Sequence, residues 1–115
     1  MFGFIKGFFR RKKIKRKIKR WVKKGSTSWD LSRLEINHDD VRLLAEALMV
    51  NDTLTYLNLR YNDIEDEGAK FLVEALKENN TLNELDIDFF YISDEYKEVL
   101  KDLPRVKSGQ LTLRN

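Results

Sequence analysis

Residues 53–80, TLTYLNLRYNDIEDEGAKFLVEALKENN, decide the fold of this 115-residue chain. Moved forward by one 28-residue period, Thr53, Leu54, Leu57, Leu59, Ile64, Phe71 and Leu72 fall on Thr81, Leu82, Leu85, Ile87, Ile92, Val99 and Leu100. Moved back by the same period, Leu57, Leu59, Ile64, Leu72, Ala75, Leu76 and Asn79 fall on Trp29, Leu31, Ile36, Leu44, Ala47, Leu48 and Asn51. Self-similarity at a fixed period of this size marks a repeat architecture, in which a unit buries its apolar face only against its neighbours. Within each unit the apolar spacing changes. Leu57 and Leu59 alternate as in a strand, whereas Ala69, Leu72, Val73 and Leu76 recur at helical spacing, as do Val41, Leu44, Ala45 and Leu48 before them. The third helix is poorer, holding Val99, Leu100 and Leu103 before Pro104. Val106 to Asn115 reads as a shortened return to a fourth strand, with Leu111 and Leu113 inward and two residues out of phase.

The spacing L-x-x-L-x-L-x-x-N-x-I, carried by Leu54, Leu57, Leu59, Asn62 and Ile64, resembles the leucine-rich repeats. The 28-residue length and the run G-A-x-x-L-x-E-A-L-x-x-N-x-T-L, from Gly68 to Leu82, resemble their ribonuclease-inhibitor-like subtype. The resemblance covers about residues 28–115. It implies an α/β fold, a short solenoid of about three strand-turn-helix repeats with one parallel sheet, and a non-catalytic module for binding proteins. It also implies that Asn62 turns inward to satisfy loop backbone, a role that its counterparts one period away, Leu34 and Phe90, cannot fill. Gly68 is matched by Asp40 and Tyr96, so the outer repeats depart from the pattern as terminal caps do. Three repeats are close to the minimum that buries a continuous core, so the arm, a second copy or a partner is expected to contribute. Trp29, Phe89, Phe90 and Tyr91 are candidates for closing the open ends, with an exposed partner site as the alternative.

In such a solenoid the residues between the buried strand positions face the concave side. By the 28-residue spacing these are Ser28, Asp30 and Ser32, then Tyr56, Asn58 and Arg60, then Glu84, Asp86 and Asp88, and last Gln110, Thr112 and Arg114. The candidate partner-binding set is therefore Asp30, Tyr56, Asn58, Arg60, Glu84, Asp86 and Asp88. Its acidic bias favours a basic protein segment, chiefly through encounter rate and specificity.

Charge divides the chain in two. Residues 1–24 hold 12 Lys and Arg and no acid, whereas residues 25–115 hold the other 10 against all 19 Asp and Glu, a net −9. A basic arm (1–24), a hinge of Gly25, Ser26, Thr27 and Ser28, and a repeat domain (28–115) follow, with the arm expected to move independently. Its head carries Phe4, Ile5, Phe8 and Phe9, and the run after it is Arg10, Arg11, Lys12, Lys13, Lys15, Arg16, Lys17, Lys19, Arg20 and Trp21. Ile14, Ile18, Trp21 and Val22 make one apolar stripe on a helix otherwise covered by Lys and Arg. Such a helix suits the boundary of an anionic membrane, each basic residue near the surface adding about 1 kcal/mol. Phosphate binding to nucleic acid is the alternative, since counterion release ignores sequence. The phenylalanine head has little use there. Folding back of the arm onto the acidic face is a further expectation from the charges. The order of charge and apolar residues is the reverse of a secretory signal. The reading is intracellular with peripheral membrane attachment, nuclear or mitochondrial targeting being the alternatives. No run approaches the roughly 20 apolar residues of a membrane span.

Chemistry finds little footing. The chain has no cysteine, so thiolate chemistry and disulfides are excluded. His38, the single histidine, stands among Asn37, Asp39 and Asp40 at a helix start, and a metal needs three or four ligands. The acids Asp63, Glu65, Asp66 and Glu67 lack calcium-loop spacing and suit the positive end of the following helix. No enzymatic activity, cofactor or metal is expected. A piece of a longer solenoid carrying a targeting arm is the remaining alternative.

Overall fold

A computed structural model describes the backbone of residues 2–115 and the side chains from Lys13 onward. In chain order the elements are α1 (Phe2–Lys24), β1 (Ser28–Asp30), α2 (His38–Val50), β2 (Tyr56–Asn58), α3 (Asp66–Glu78), β3 (Glu84–Asp86), α4 (Asp94–Lys101), α5 (Pro104–Lys107) and β4 (Thr112–Arg114). The strands form one parallel sheet in sequence order. A parallel pair needs a crossover long enough to return the chain, and here α2, α3 and the α4–α5 pair make those returns. Trp29, Leu57, Leu85 and Leu113 stand in one row across the sheet. Behind them Leu44, Leu48, Leu72, Leu76 and Leu100 close a single core. The expected solenoid, with alternating strands and helices, is the fold observed.

The fourth strand corrects the sequence reading. Glu84 pairs with Thr112 and Asp86 with Arg114, a full period with no slip. Leu113, not Leu111, extends the Leu85 row, and Leu111 is buried beneath it as a separate anchor. The backbone explains why: the Thr112 N–H donates to Asn83 O, repeating the bonds from Glu84 N to Thr55 O and from Tyr56 N to Thr27 O. The short helix α5 absorbs the missing helix length, and exposed Gln110 falls off the sheet.

Two asparagines hold the turns. Asn62 is buried; its Oδ1 accepts from the N–H groups of Leu34 (3.1 Å) and Ile36 (3.0 Å), and its Nδ2 donates to Leu31 O (2.9 Å) and Leu59 O (3.0 Å). One side chain thus serves its own turn and the one before it. Asn79 does the same where helix returns to strand, donating to Leu48 O and accepting from Thr81 and Leu82 N–H. Lys107 stands one period beyond Asn79, and Arg105 fills the gap by donating to Asn79 O at 3.2 Å. Gly68 reflects packing rather than turn geometry: a Cβ there would lie 2.9 Å from Ile64 Cγ2 and 3.4 Å from Val41 Cγ2.

The N-terminal region departs most from expectation. Ile14 is 1% exposed and Ile18 is also buried, both in the same core cluster as Trp29. The Trp21 ring stacks on that of Trp29 with centroids 5.7 Å apart, and such pairs add about 0.5–1.5 kcal/mol beyond the area they bury. From Lys13 onward, then, the helix is a cap on the first repeat and not an independent arm. The expected hinge is a closed turn. Gly25 adopts φ +64, its N–H donates to Val22 O, and the Ser26 N–H reaches back to Trp21 O. That pair of bonds is the Schellman stop, for which glycine is favoured at the left-handed position. Val22 points outward, so the buried stripe is Ile14, Ile18 and Trp21 alone. The helix docks on the end of the solenoid through apolar contact rather than folding over the acidic face.

Trp29 closes the N-terminal end as expected; of the C-terminal aromatics only Phe89 packs against the core. Phe89 is half-buried, Phe90 is 83% exposed and Tyr91 is exposed. The turn from Phe89 to Tyr91 lacks an inward asparagine, and Phe90, at that position, is too large to enter.

Candidate interaction surfaces

The sheet places most of the expected concave residues in two rows. The first is Ser28, Tyr56, Glu84 and Thr112; the second is Asp30, Asn58, Asp86 and Arg114. Ser32, Arg60 and Asp88 follow at the ends of the first three strands. Tyr56 stands at the centre of this face. Its hydroxyl donates to Asp86 Oδ2 at 2.6 Å. That bond, then partial burial, then the charges of Asp86, Glu84 and Asp30 hold the phenol protonated, its pKa pushed up to about 12. An aromatic ring among three carboxylates presents both attractions that a guanidinium or ammonium group seeks.

Glu84 and Asp30, and Asp88 beyond them, also have partners of their own. Arg114 Nε lies 2.6 Å from Glu84 Oε1, and Arg60 Nε lies 3.6 Å from Asp88 Oδ1. Asp88 also accepts from the Tyr61 N–H. Asp30 accepts from the hydroxyl of Ser32 at 2.6 Å and from its N–H. These bonds, aided by the nearby charge of Lys17, hold the Asp30 carboxyl below its ordinary pKa, against a smaller opposing effect of burial. Asn58 is used locally, accepting from the Arg60 N–H.

One feature of this edge escaped the sequence reading. Tyr61, exposed and at φ +61, lies between two guanidinium groups, with Arg33 4.0 Å and Arg60 5.2 Å from its ring centroid. Arg33 and Tyr61 are one period apart, so they stand on neighbouring turns, and the repeat could have paired them.

The second surface is the outer side of α1. Lys13, Lys15, Arg16, Lys19, Arg20, Lys23 and Lys24 are exposed, and Lys17 is half-exposed over the Trp21 ring. None of these eight joins an ion pair among the described residues. By contrast, seven of the ten basic residues beyond them do: Arg42, Arg60, Lys77, Lys97, Lys101, Lys107 and Arg114. Arg16, Lys19, Arg20 and Lys23 share one helix face by their spacing, opposite Ile14, Ile18 and Trp21. Trp21, expected at the anionic surface, is turned into the protein instead. The side chains of Phe4, Phe8, Phe9, Arg10, Arg11 and Lys12 lie outside the described residues.

His38 opens α2, with Nε2 3.7 Å from Asp39 and Nδ1 3.5 Å from Glu67. It borders an open cleft of about 310 Å³ lined also by Glu35, Tyr61, Asp63 and Glu65. Asn37 and Asp40 next to it form a capping box, so those residues start a helix. No group of three or more His, Asp or Glu side chains that could hold a metal occurs among the described residues. No helix among them is long and apolar enough to cross a membrane.

Comparison with known proteins agrees with the architecture. Residues 50–73 match the leucine-rich repeat family model. Fold and repeat together make the chain a leucine-rich repeat solenoid, a class whose extended concave surface serves binding. The tropomodulin C-terminal domain of Caenorhabditis elegans is similar in structure, with a TM-score of 0.72 at 17% identity over 89% of this chain. This chain spans 62% of that domain. No curated protein matches the sequence.

Proposed function

We propose that this chain is a protein-interaction module that seats on an anionic membrane surface through α1 and offers its concave face to a basic segment of a partner protein. The observation that carries the attachment is the contrast in charge pairing. Cations of the repeats are mostly held in ion pairs with neighbouring acids, while none of the eight from Lys13 to Lys24 joins an ion pair among the described residues, although the charge of Lys17 acts on Asp30, and residues 1–24 contain no acid. Unneutralised cations on one helix attract an anionic surface. Support for the partner's basic character comes from Tyr56, set among Asp30, Glu84 and Asp86.

Co-sedimentation of the full chain with anionic and neutral vesicles, at low and moderate salt, tests attachment. The expected result is strong binding to anionic vesicles, weak binding to neutral ones and partial loss with salt. Equal binding to both would refute a charge-driven seat. Retention by duplex DNA with no retention by vesicles would transfer the cations to nucleic-acid phosphates.

A further inference from the structure

The apolar stripe of α1 has two competing uses. Lipid could take Ile14, Ile18 and Trp21, as the amphipathic pattern alone suggests, or the core of the solenoid can keep them, as observed. The transfer energetics separate the two. Ile14 and Ile18 leave water about equally well into protein or into hydrocarbon, because the hydrophobic effect is non-directional and follows the area removed from water. The surface they cover does not share that indifference. If α1 left, Trp29, now fully buried, would lose its stacked partner and the first repeat would open to water.

We infer that α1 binds an anionic bilayer while still docked, so that the lipid-facing site is the outer face of a folded cap: Arg16, Lys19, Arg20 and Lys23 against headgroup phosphates. The inference rests on the attachment reading above and specifies its mode. The connection supports it: α1 ends at the Schellman turn of Gly25, and two residues on Thr27 O already accepts from the N–H groups of Thr55 and Tyr56, so only a short segment separates the helix from the fixed sheet. The outer face of α1 points away from β1 and α2, so the bilayer would lie beyond the N-terminal end of the solenoid, leaving the concave rows free for a partner.

Docked and undocked binding differ at the tryptophans. The chain has two, Trp21 and Trp29, both turned into the protein in the docked form. The experiment uses the full chain with phosphatidylserine–phosphatidylcholine vesicles whose acyl chains are brominated, quenching any tryptophan that enters the hydrocarbon. Docked binding predicts co-sedimentation with less than about one-tenth loss of tryptophan fluorescence. It also predicts a Tm that rises with lipid, because a ligand of the folded form stabilises it by mass action. The variant R16Q/K19Q/R20Q/K23Q should bind about a thousandfold more weakly, from the attraction of each basic residue near an anionic surface. Its Tm without lipid should be unchanged, since all four side chains are exposed. Strong quenching with a lowered Tm would overturn docked binding and leave the attachment reading standing. Failure to bind anionic vesicles at all would overturn both.

Discussion

Replacing Ile14 by alanine separates a cap from a tether. The side chain is 1% exposed and belongs to the cluster that contains Trp29 and Ile18. Removing a fully buried isoleucine to alanine costs about 2–5 kcal/mol, the loss of transfer free energy plus the residual cavity. The site lies near the end of the solenoid, where neighbours can relax into the space, which places the cost in the lower half of that range, at about 3 kcal/mol. For a chain of this length the unfolding entropy near the midpoint is about 0.24 kcal/mol/K, so Tm should fall by about 12 °C. Val22→Ala, on the same helix but 49% exposed, is the control and should cost under about 0.5 kcal/mol. Equilibrium urea unfolding followed by far-UV circular dichroism, together with thermal scans, gives both numbers. If Ile14→Ala proved as mild as Val22→Ala, the helix would not be part of the cooperative unit and the cap assignment would fail.

Asn62→Ala removes hydrogen bonds to five buried or half-buried backbone groups; unfolding should show a loss of about 3 kcal/mol or more, beyond the roughly 1–3 kcal/mol of a single unsatisfied group. Gly68→Ala should destabilise by about 1 kcal/mol despite the better helix propensity of alanine, because the added methyl meets Ile64 Cγ2 at 2.9 Å; a gain in Tm would show that Ile64 yields freely. Tyr56 should ionise near 12 in an ultraviolet titration, and Asp86→Asn should return it toward 10. Because its folded pKa is raised, the stabilisation from this hydrogen bond is complete below pH 10 and disappears as pH rises through about 12.

The sheet was legible because a 28-residue period fixes which residues stand side by side. Once Leu57 is inward, Trp29 and Leu85 are too, and Tyr56 and Asp86 must be close enough to bond. The fourth strand misled the reading because Leu111 and Leu113 offer two apolar residues at strand spacing, and backbone hydrogen bonding, not hydrophobicity, selects between registers. Separating residues 1–24 from the rest followed the charge, which changes sign at Gly25, whereas docking follows Ile14 and Ile18. Amphipathic spacing reports that a stripe will be buried without saying whether lipid or protein buries it. The same ambiguity applied to the aromatic run: Phe89 packs and Phe90 does not, and their order in the sequence does not distinguish them.

Asn62 and Asn79 carry a consequence for how such an array could grow. Each closes the turn of the unit before it, so a repeat is completed by its successor. A tandem copy of residues 53–80 would bring its own pair of asparagines and satisfy the unit it follows. A tandem copy of residues 81–108 would bring Phe90 and Lys107 to the same places and leave the preceding turns open. Lengthening by duplication is therefore open to the middle unit and closed to the third.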